Sequence, residues 1–129
     1  MALNLPLETG HIFWFDSGET GVGQEEVNEH PWIVISVPVF HRKASLVLAV
    51  PCTSVDVEHA FDVPLPPGSF VAYKNVTHPL STKRPCRIAK ARKIRHLSID
   101  RVIEVVGKVT NEDILRRIHA EIAAAVGMR

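Results

Sequence analysis

Short apolar segments separated by turn-forming residues occupy most of the chain, and this pattern is the strongest constraint on its fold. Four segments are rich in Val, Ile, Phe and Trp and end at Gly, Pro, Asn, Ser or Asp, which is typical of β-strands. They cover residues 11–16, 32–39, 45–50 and 70–73. Weaker candidates are residues 86–89, 101–106 and 57–65, the last interrupted by Pro64. Five to seven short strands predict a small, mainly β barrel.

The C-terminal segment changes from strand-like to helical spacing. Its apolar residues recur every three or four positions and form one stripe, made of Ile114, Leu115, Ile118, Ile122, Ala125 and Val126. Thr110 and Asp113 are spaced as a capping box, and Gly127 ends the pattern. The sequence therefore predicts an amphipathic C-terminal α-helix that lies on the barrel with its opposite side in solvent.

Length and hydropathy set the class of protein. A chain of 129 residues with 46% hydrophobic content is the size of one domain with one core, so we expect a single domain over residues 1–129. The first residues lack the basic and apolar regions of a secretory signal. The longest apolar stretch, residues 32–40, is too short to span a bilayer. These features predict a cytoplasmic protein without a membrane segment.

The cysteines and histidines do not form the common metal-binding motifs. Cys52 and Cys86 are far apart in the sequence, so neither a CxxC redox pair nor a zinc knuckle is available. We expect both to be buried free thiols. The seven histidines form no HxH or HExxH arrangement. We therefore expect no metal site and no cofactor.

Charge is unevenly distributed along a chain whose net charge is only +1. Residues 1–41 contain six carboxylates and no Lys or Arg, and four of these carboxylates lie in the glycine-rich segment 17–29. Residues 83–96 contain seven Lys or Arg and no acid. On one face, these cations would neutralise several phosphates of a nucleic acid, although a basic run is more often a solvated face.

Long loops are expected at residues 17–29 and 74–84, and loops of this length often carry functional residues.

Three blocks of sequence, at residues 10–36, 40–54 and 91–127, together resemble in their order the MazF/PemK family of toxin endoribonucleases. The family's first strand, its G-x-E-Q-type loop and the R-P before its second strand are similar to GHIFWFDSGETGVGQEEVNEHPWIVIS. Its variable turn and third strand with a P-x-T-S end resemble FHRKASLVLAVPCTS. Its C-terminal part resembles ARKIRHLSIDRVIEVVGKVTNEDILRRIHAEIAAAVG. Residues 57–85 match poorly.

The resemblance implies an SH3-like barrel of the MazF/PemK/CcdB kind that forms a homodimer. It also implies metal-independent cleavage of single-stranded RNA and inhibition by a small antitoxin protein. Carried over residue by residue, the family's Thr at the end of the third strand is Thr53. The family's Arg before Pro is replaced by His30. An Arg found in some members is retained as Arg87, whereas the carboxylate two residues later is Ala89.

The resemblance assigns chemical roles to these side chains. RNA cleavage by its own 2′-hydroxyl requires a base, an acid and donors that stabilise the phosphorane oxygens. His30 is the expected base because its unperturbed pKa of about 6.5 is close to working pH. Arg87 is expected to stabilise charge, and the Thr53 hydroxyl to donate to a phosphate oxygen. Without the resemblance, Thr53 would be read as part of a turn after a strand, and His30 as a loop residue.

The expected RNA-binding side chains come from the acidic loop and from the basic strip. They are Gln24, Lys83, Arg84, Lys90, Arg92 and Lys93. In a regular strand, alternation would divide the basic strip between two faces. Phe13, Trp14 and Trp32 are suitable for stacking on bases, but in strands of this kind most of them are expected in the core.

Two classes of function follow. The first is an active endoribonuclease toxin. The alternative is a barrel of the same fold that has lost catalysis and binds nucleic acid or a protein partner, which the His30 and Ala89 departures favour.

Overall fold

A computed structural model describes residues 6–15, 31–54, 59–80 and 86–127. Within these residues lie eight strands, β1 (His11–Phe15), β2 (Trp32–Val34), β3 (Leu46–Thr53), β4 (Asp62–Pro64), β5 (Phe70–Ala72), β6 (Ile88–Lys90), β7 (Arg95–Ser98) and β8 (Val102–Val109). They also hold two α-helices, α1 (Pro38–Ala44) and α2 (Glu112–Ala125), and 3₁₀ helices at Ala91–Lys93 and Ile99–Arg101. The predicted mainly β fold with a C-terminal helix is confirmed, with eight strands instead of five to seven.

All eight strands form one sheet of antiparallel pairs. The order is β4-β6-β3-β2-β1-β8-β5, and β7 adds to β3. Strand β3 therefore has three neighbours. Its middle pairs with β2, its first half pairs with β7, and its last two residues pair with β6. The C-terminal end of β3 is thus held directly against β6.

The core consists of two apolar clusters on the two faces of the sheet. Alternation along β1 places Ile12 in the cluster that α2 covers and Phe13 in the other. Ile33 and Trp32 of β2 are divided in the same way. Full burial of such a side chain contributes about 1.5–3 kcal/mol. The prediction that most aromatic residues of these strands lie in the core is confirmed.

Strand β2 is shorter than predicted because α1 follows it. The apolar run at residues 32–39 ends as a strand at Val34, and Pro38 takes the first turn of α1. Proline suits this position, since its missing N–H has no helical partner there. Ser45 closes the helix with φ 56° and donates its N–H to the His41 carbonyl. Apolar content alone did not distinguish strand from helix.

His41 fixes α1 to its surroundings. Its Nε2 is 2.6 Å from Ser36 Oγ, and its Nδ1 is 3.3 Å from the Leu7 carbonyl oxygen. Burial is the main cause that lowers the pKa of His41; the Leu7 carbonyl raises it and Arg42 lowers it. Ser36 Oγ also accepts the Leu48 N–H at 3.0 Å, so this network links α1 to β3 through the segment that follows β2. A largely apolar cavity of about 640 Å³ lies beside His41.

Helix α2 is confirmed, with two differences from its predicted ends. The N-cap is Asn111 and not Thr110, because Asn111 Oδ1 accepts the N–H groups of Asp113 and Ile114 at 2.9 and 3.3 Å. The stripe formed by Ile114, Leu115, Ile118 and Ile122 packs on the core. The last two predicted members, Ala125 and Val126, are exposed. Gly127 has φ 83° and ends the helix as predicted.

Three other strand predictions are changed by the structure. Strands β3 and β8 extend farther than predicted because each has neighbours on both sides. Strand β7 was missed, since only Leu97 of its four residues is buried and the others are polar. The candidate at residues 57–65 contains β4, which ends at Pro64 on the edge of the sheet. Proline is tolerated at such an edge.

Residues 73–80 have no helix or strand, and Glu104 of β8 anchors them. Its carboxylate accepts the N–H groups of Thr77 and His78 at 2.9 and 2.8 Å, and lies 3.2 Å from the His78 ring. Trp14 Nε1 donates to the His78 carbonyl at 2.6 Å. Burial raises the pKa of Glu104, but the hydrogen bonds from Thr77 and His78 outweigh burial and lower it overall. The described part of the predicted loop at 74–84 is therefore pinned to the sheet.

Candidate functional site

Two of the three predicted catalytic residues meet where β3 ends and β6 begins. Thr53 is the last residue of β3, and Arg87 immediately precedes β6. The Arg87 N–H donates to the Thr53 carbonyl oxygen at 2.8 Å, and Thr53 pairs in register with Ile88. Thr53 is buried, whereas Arg87 is exposed. The backbones of these two residues are thus joined at the C-terminal end of β3.

The third predicted catalytic residue, His30, lies outside the described residues. Its neighbour Pro31 is described and is tied to the same end of β3. The carbonyl oxygen of Pro31 accepts the Cys52 N–H at 2.9 Å and lies 3.4 Å from Cys52 Sγ. The residue that follows His30 in the sequence therefore contacts the residue that precedes Thr53.

Ala89, at the position where the resemblance implies a carboxylate in some members, is a core residue. It pairs with Cys52 of β3 on one side and with Val63 of β4 on the other, and all three are fully buried. A carboxylate here would lose its hydration unless a partner were supplied. Position 89 therefore supplies packing in this chain.

The predicted basic strip is divided among three elements. Lys90 ends β6, Arg92 and Lys93 belong to the 3₁₀ helix Ala91–Lys93, and Arg95 begins β7. Arg87, Arg92 and Arg95 are exposed, whereas Lys90 and Lys93 are half-buried. The other predicted RNA-binding residues, Gln24, Lys83 and Arg84, lie outside the described residues, as does the acidic loop at 17–29.

Asp62 is a buried carboxylate that sequence reasoning missed. Its side chain has no exposed surface, and Arg92 Nε lies 3.5 Å from Oδ1. Oδ2 accepts the His59 N–H at 2.9 Å, whereas Oδ1 has no hydrogen bond. We treat the 3.5 Å contact as an ion pair, because its length exceeds that of an ordinary N–H···O bond. The only sequence signal was an acid at the start of an apolar strand-like run.

Cys52 and Cys86 lie together beneath the site. Both are buried free thiols, as predicted. A hydrogen bond with Cys86 is the main cause that raises the pKa of Cys52 well above its ordinary value, and burial and the charge of Cys86 add to it. The pair is built from the residue before Thr53 and the residue before Arg87. Both thiols belong to the core cluster under α2.

Neither metal clusters nor membrane helices are found in the described part of the chain. Over residues 6–15, 31–54, 59–80 and 86–127, no three His, Cys, Asp or Glu side chains are grouped so that they could hold a metal ion. None of the helices in these ranges has the length and apolar character needed to cross a bilayer.

Solved structures share this fold at low sequence identity. MazF from Deinococcus radiodurans superposes with a TM-score of 0.74 at 21% identity, over 97% of this chain and 100% of that one. An endoribonuclease from Mycobacterial species gives 0.68 at 18% identity, over 96% and 94%. The same comparison finds an endoribonuclease in complex with its cognate antitoxin, also from Mycobacterial species, at 0.63 and 21% identity, over 95% and 97%.

Sequence comparison assigns the family. No curated protein matches the chain. A family model described as PemK-like, MazF-like toxin of type II toxin-antitoxin system matches residues 8–126. This match spans the paired ends of β3 and β6 as well as helix α2. The chain therefore belongs to the PemK-like, MazF-like toxin family of type II toxin–antitoxin systems.

Proposed function

We propose that this chain is a cytoplasmic toxin that cleaves single-stranded mRNA without a metal ion and is held inactive by a small antitoxin. The observation that supports the proposal is the backbone hydrogen bond from the Arg87 N–H to the Thr53 carbonyl oxygen, which joins two of the three expected catalytic residues. Family membership supports an endoribonuclease, and so do neighbours described as endoribonucleases.

The proposed reaction is attack of the RNA 2′-hydroxyl on the adjacent phosphate. His30 takes the proton of the 2′-hydroxyl, Arg87 balances the negative charge that develops on the phosphorane oxygens, and Thr53 donates a hydrogen bond to one of them. The bond from phosphorus to the 5′-oxygen then breaks and the leaving oxygen takes a proton from water, which gives one product with a 2′,3′-cyclic phosphate and one with a 5′-hydroxyl. Alanine at position 89 supplies no carboxylate. The role of the base is therefore assigned to His30. Lys90 and Lys93 contact neighbouring phosphates, together with Gln24, Lys83 and Arg84. Arg92 also contacts phosphate, but its ion pair with Asp62 limits this contribution.

The decisive experiment is to incubate the purified protein with a mixed RNA pool, with and without EDTA, and to map the new ends. Cleavage that persists in EDTA is expected. Arg87→Ala should reduce the rate by about 10²–10³-fold, which is typical for loss of one donor to a transition-state oxyanion. Arg117→Ala is the matched control, because Arg117 is an exposed arginine on α2 and should leave the rate unchanged.

His30 gives the sharpest test of the assigned roles. As a base it should make activity rise with pH through its titration, and His30→Ala should remove about 10²–10⁴-fold. His30→Arg should restore only the phosphate contact, and hence part of the activity. Equal cleavage by wild type and His30→Ala from pH 5.5 to 8.5 would remove His30 from the mechanism.

The second candidate is a barrel that binds RNA or a partner without cleaving it. The observation in its favour is that two family positions carry His30 and Ala89 instead of arginine and a carboxylate. RNA binding without new ends in the mapping experiment would support this candidate. Binding should weaken with salt in either case, since phosphate contacts release counterions.

The proposed assembly is a homodimer that binds a small antitoxin. Neighbouring structures include toxins solved with their antitoxins. The acidic segment 17–29 favours a partner with basic residues. Light scattering after size-exclusion chromatography should give twice the mass of 14.3 kDa. Deletion of residues 21–23 should weaken antitoxin binding and leave thermal melting nearly unchanged.

A further inference from the structure

Phe61 has a backbone conformation that a bulky residue rarely adopts. Its φ is +66°, in the left-handed region that normally favours glycine or asparagine. Such strain persists only where the surroundings impose it, and it is concentrated at functional sites. Phe61 lies in the segment that matches the family poorly, so the resemblance assigns it no role.

The surroundings of Phe61 impose this conformation through its neighbour Asp62. The Asp62 N–H donates to the His59 carbonyl at 3.1 Å, and Asp62 Oδ2 accepts the His59 N–H at 2.9 Å. Asp62 is also paired with Arg92 inside the protein. These contacts close a tight turn over residues 59–62. The buried Asp62 side chain holds this turn in place, and Phe61 is part of the turn.

The result is an aromatic ring held partly in solvent. Phe61 is 38% exposed and belongs to neither apolar cluster of the core. By comparison, Phe13 and Trp32 of the sheet are at most 3% exposed. Burial therefore does not account for a strained phenylalanine at this position.

The position of the Phe61 backbone relative to the proposed cleavage centre follows from strand register. Asp62 pairs with Lys90 across β4 and β6, and Lys90 is three residues beyond Arg87. At about 3.3 Å per residue, the turn lies roughly 10–13 Å along the sheet from Arg87. Lys90 and Arg92 place positive charge next to it. A single strand whose phosphate contacts Arg87 has neighbouring bases within reach of this ring.

We propose that Phe61 is a base-stacking residue, which receives an unpaired base of single-stranded RNA next to the cleavage centre. This inference rests on the proposed action on RNA. Every base has a π-face, and stacking on an aromatic side chain tolerates different sequences. The hydrogen bonds between His59 and Asp62 fix the backbone of the turn before RNA binds, so less ordering of this segment is required.

The test compares two substitutions that leave the strain in place. Phe61→Leu keeps an apolar side chain but removes the ring, and Phe61→Tyr keeps the ring. Binding is measured by fluorescence anisotropy with labelled single-stranded RNA whose 2′-hydroxyls are methylated, so that it cannot be cut. Phe61→Leu should raise Kd about tenfold, as expected for the loss of one stacked base, and Phe61→Tyr should bind as wild type does. Val71→Ala is the control, since Val71 is 50% exposed on β5 at the opposite edge of the sheet.

A second measurement keeps the test valid if a variant is poorly folded. Abasic sites are moved one nucleotide at a time along the RNA, and affinity for wild type is recorded. One position should weaken wild-type binding about tenfold and have no further effect on Phe61→Leu, because both changes remove the same contact. Equal sensitivity of both proteins at every position would overturn the stacking role alone. Absence of wild-type RNA binding would overturn the proposed function and this inference together.

Discussion

Cys52 and Cys86 interact in the core, although they are distant in sequence, and each immediately precedes one partner of the Thr53–Arg87 backbone hydrogen bond. The raised pKa of Cys52 keeps its thiol protonated, and the thiolate is the reactive form. We expect a disulfide reagent such as DTNB to label neither thiol of the native protein at pH 7.5. Both should react at once in denaturant.

The same pair provides a control for this expectation. Cys86→Ala removes the main cause that raises the pKa of Cys52, so Cys52 should react faster in this variant than in wild type. Rapid labelling of the native wild-type protein would show that these two thiols are accessible to the reagent, contrary to their burial in the structure.

The Arg92–Asp62 pair should stabilise the fold independently of any RNA contact. Arg92→Ala leaves the buried Asp62 carboxylate without its cation, which we expect to lower the free energy of unfolding by about 1–3 kcal/mol, less than for a fully buried pair because Arg92 is 34% exposed. Urea denaturation measures this change. Asp62→Asn in the same background should recover part of it, and Arg117→Ala should have little effect. Equal stability of Arg92→Ala and wild type would mean that the pair is not formed in solution.

Elements with a regular spacing of apolar residues were predictable from the sequence. Elements that depend on long-range pairing were not. The apolar stripe around Ile118 predicted helix α2. Its N-cap was not predictable, because it depended on whether the Thr110 or the Asn111 side chain reaches the first free N–H groups. Strand β7 was hidden because its polar residues face solvent and its pairing with β3 is a long-range contact. Helix α1 was not predicted, because an apolar run of that length is compatible with either a strand or a helix.

The site was predictable only where the family resemblance supplied it. Thr53 and Arg87 were named from matched positions, and their contact through β3 and β6 is what the structure adds. No local pattern joins Asp62 to Arg92, or Cys52 to Cys86, because these pairs exist only once the strands have assembled. The positive φ of Phe61 is a backbone property that the sequence does not indicate, because a bulky residue rarely adopts it.

Glu104 should make the stability of segment 73–80 depend on pH. Its pKa is lowered in the folded state, so its contribution is present above the ordinary value of about 4.3 and is lost as pH falls through the lowered value. Glu104→Gln should cost about 1–3 kcal/mol at pH 7, measured by urea denaturation, and the difference from wild type should shrink below pH 4. Glu112→Gln, at an exposed position on α2, is the control. A difference that is the same at both pH values would contradict the ionised anchor.

Gly107 is required for the approach of β5 to β8. A Cβ atom at this position would lie 2.7 Å from the Val71 carbonyl oxygen, which is backbone and cannot move away without parting the strands. Gly107→Ala should therefore destabilise the protein by about 1–3 kcal/mol, seen as a lower midpoint in thermal melting. Gly68→Asn is the contrasting variant, because Gly68 has φ +89° with open space around it, and asparagine tolerates such backbone. A milder effect at Gly107 than at Gly68 would contradict the close approach.

The three partners of β3 have a consequence for hydrogen exchange. An amide inside β3 is released only when several neighbours open together, whereas β5 is bonded to β8 alone among the described strands. Amides of Val47 and Val50 should thus exchange through global unfolding, and that of Val71 through cheaper local opening. Exchange followed by mass spectrometry would rank them. In a warmed sample, β5 at the edge of the sheet should therefore exchange before the central amides of β3.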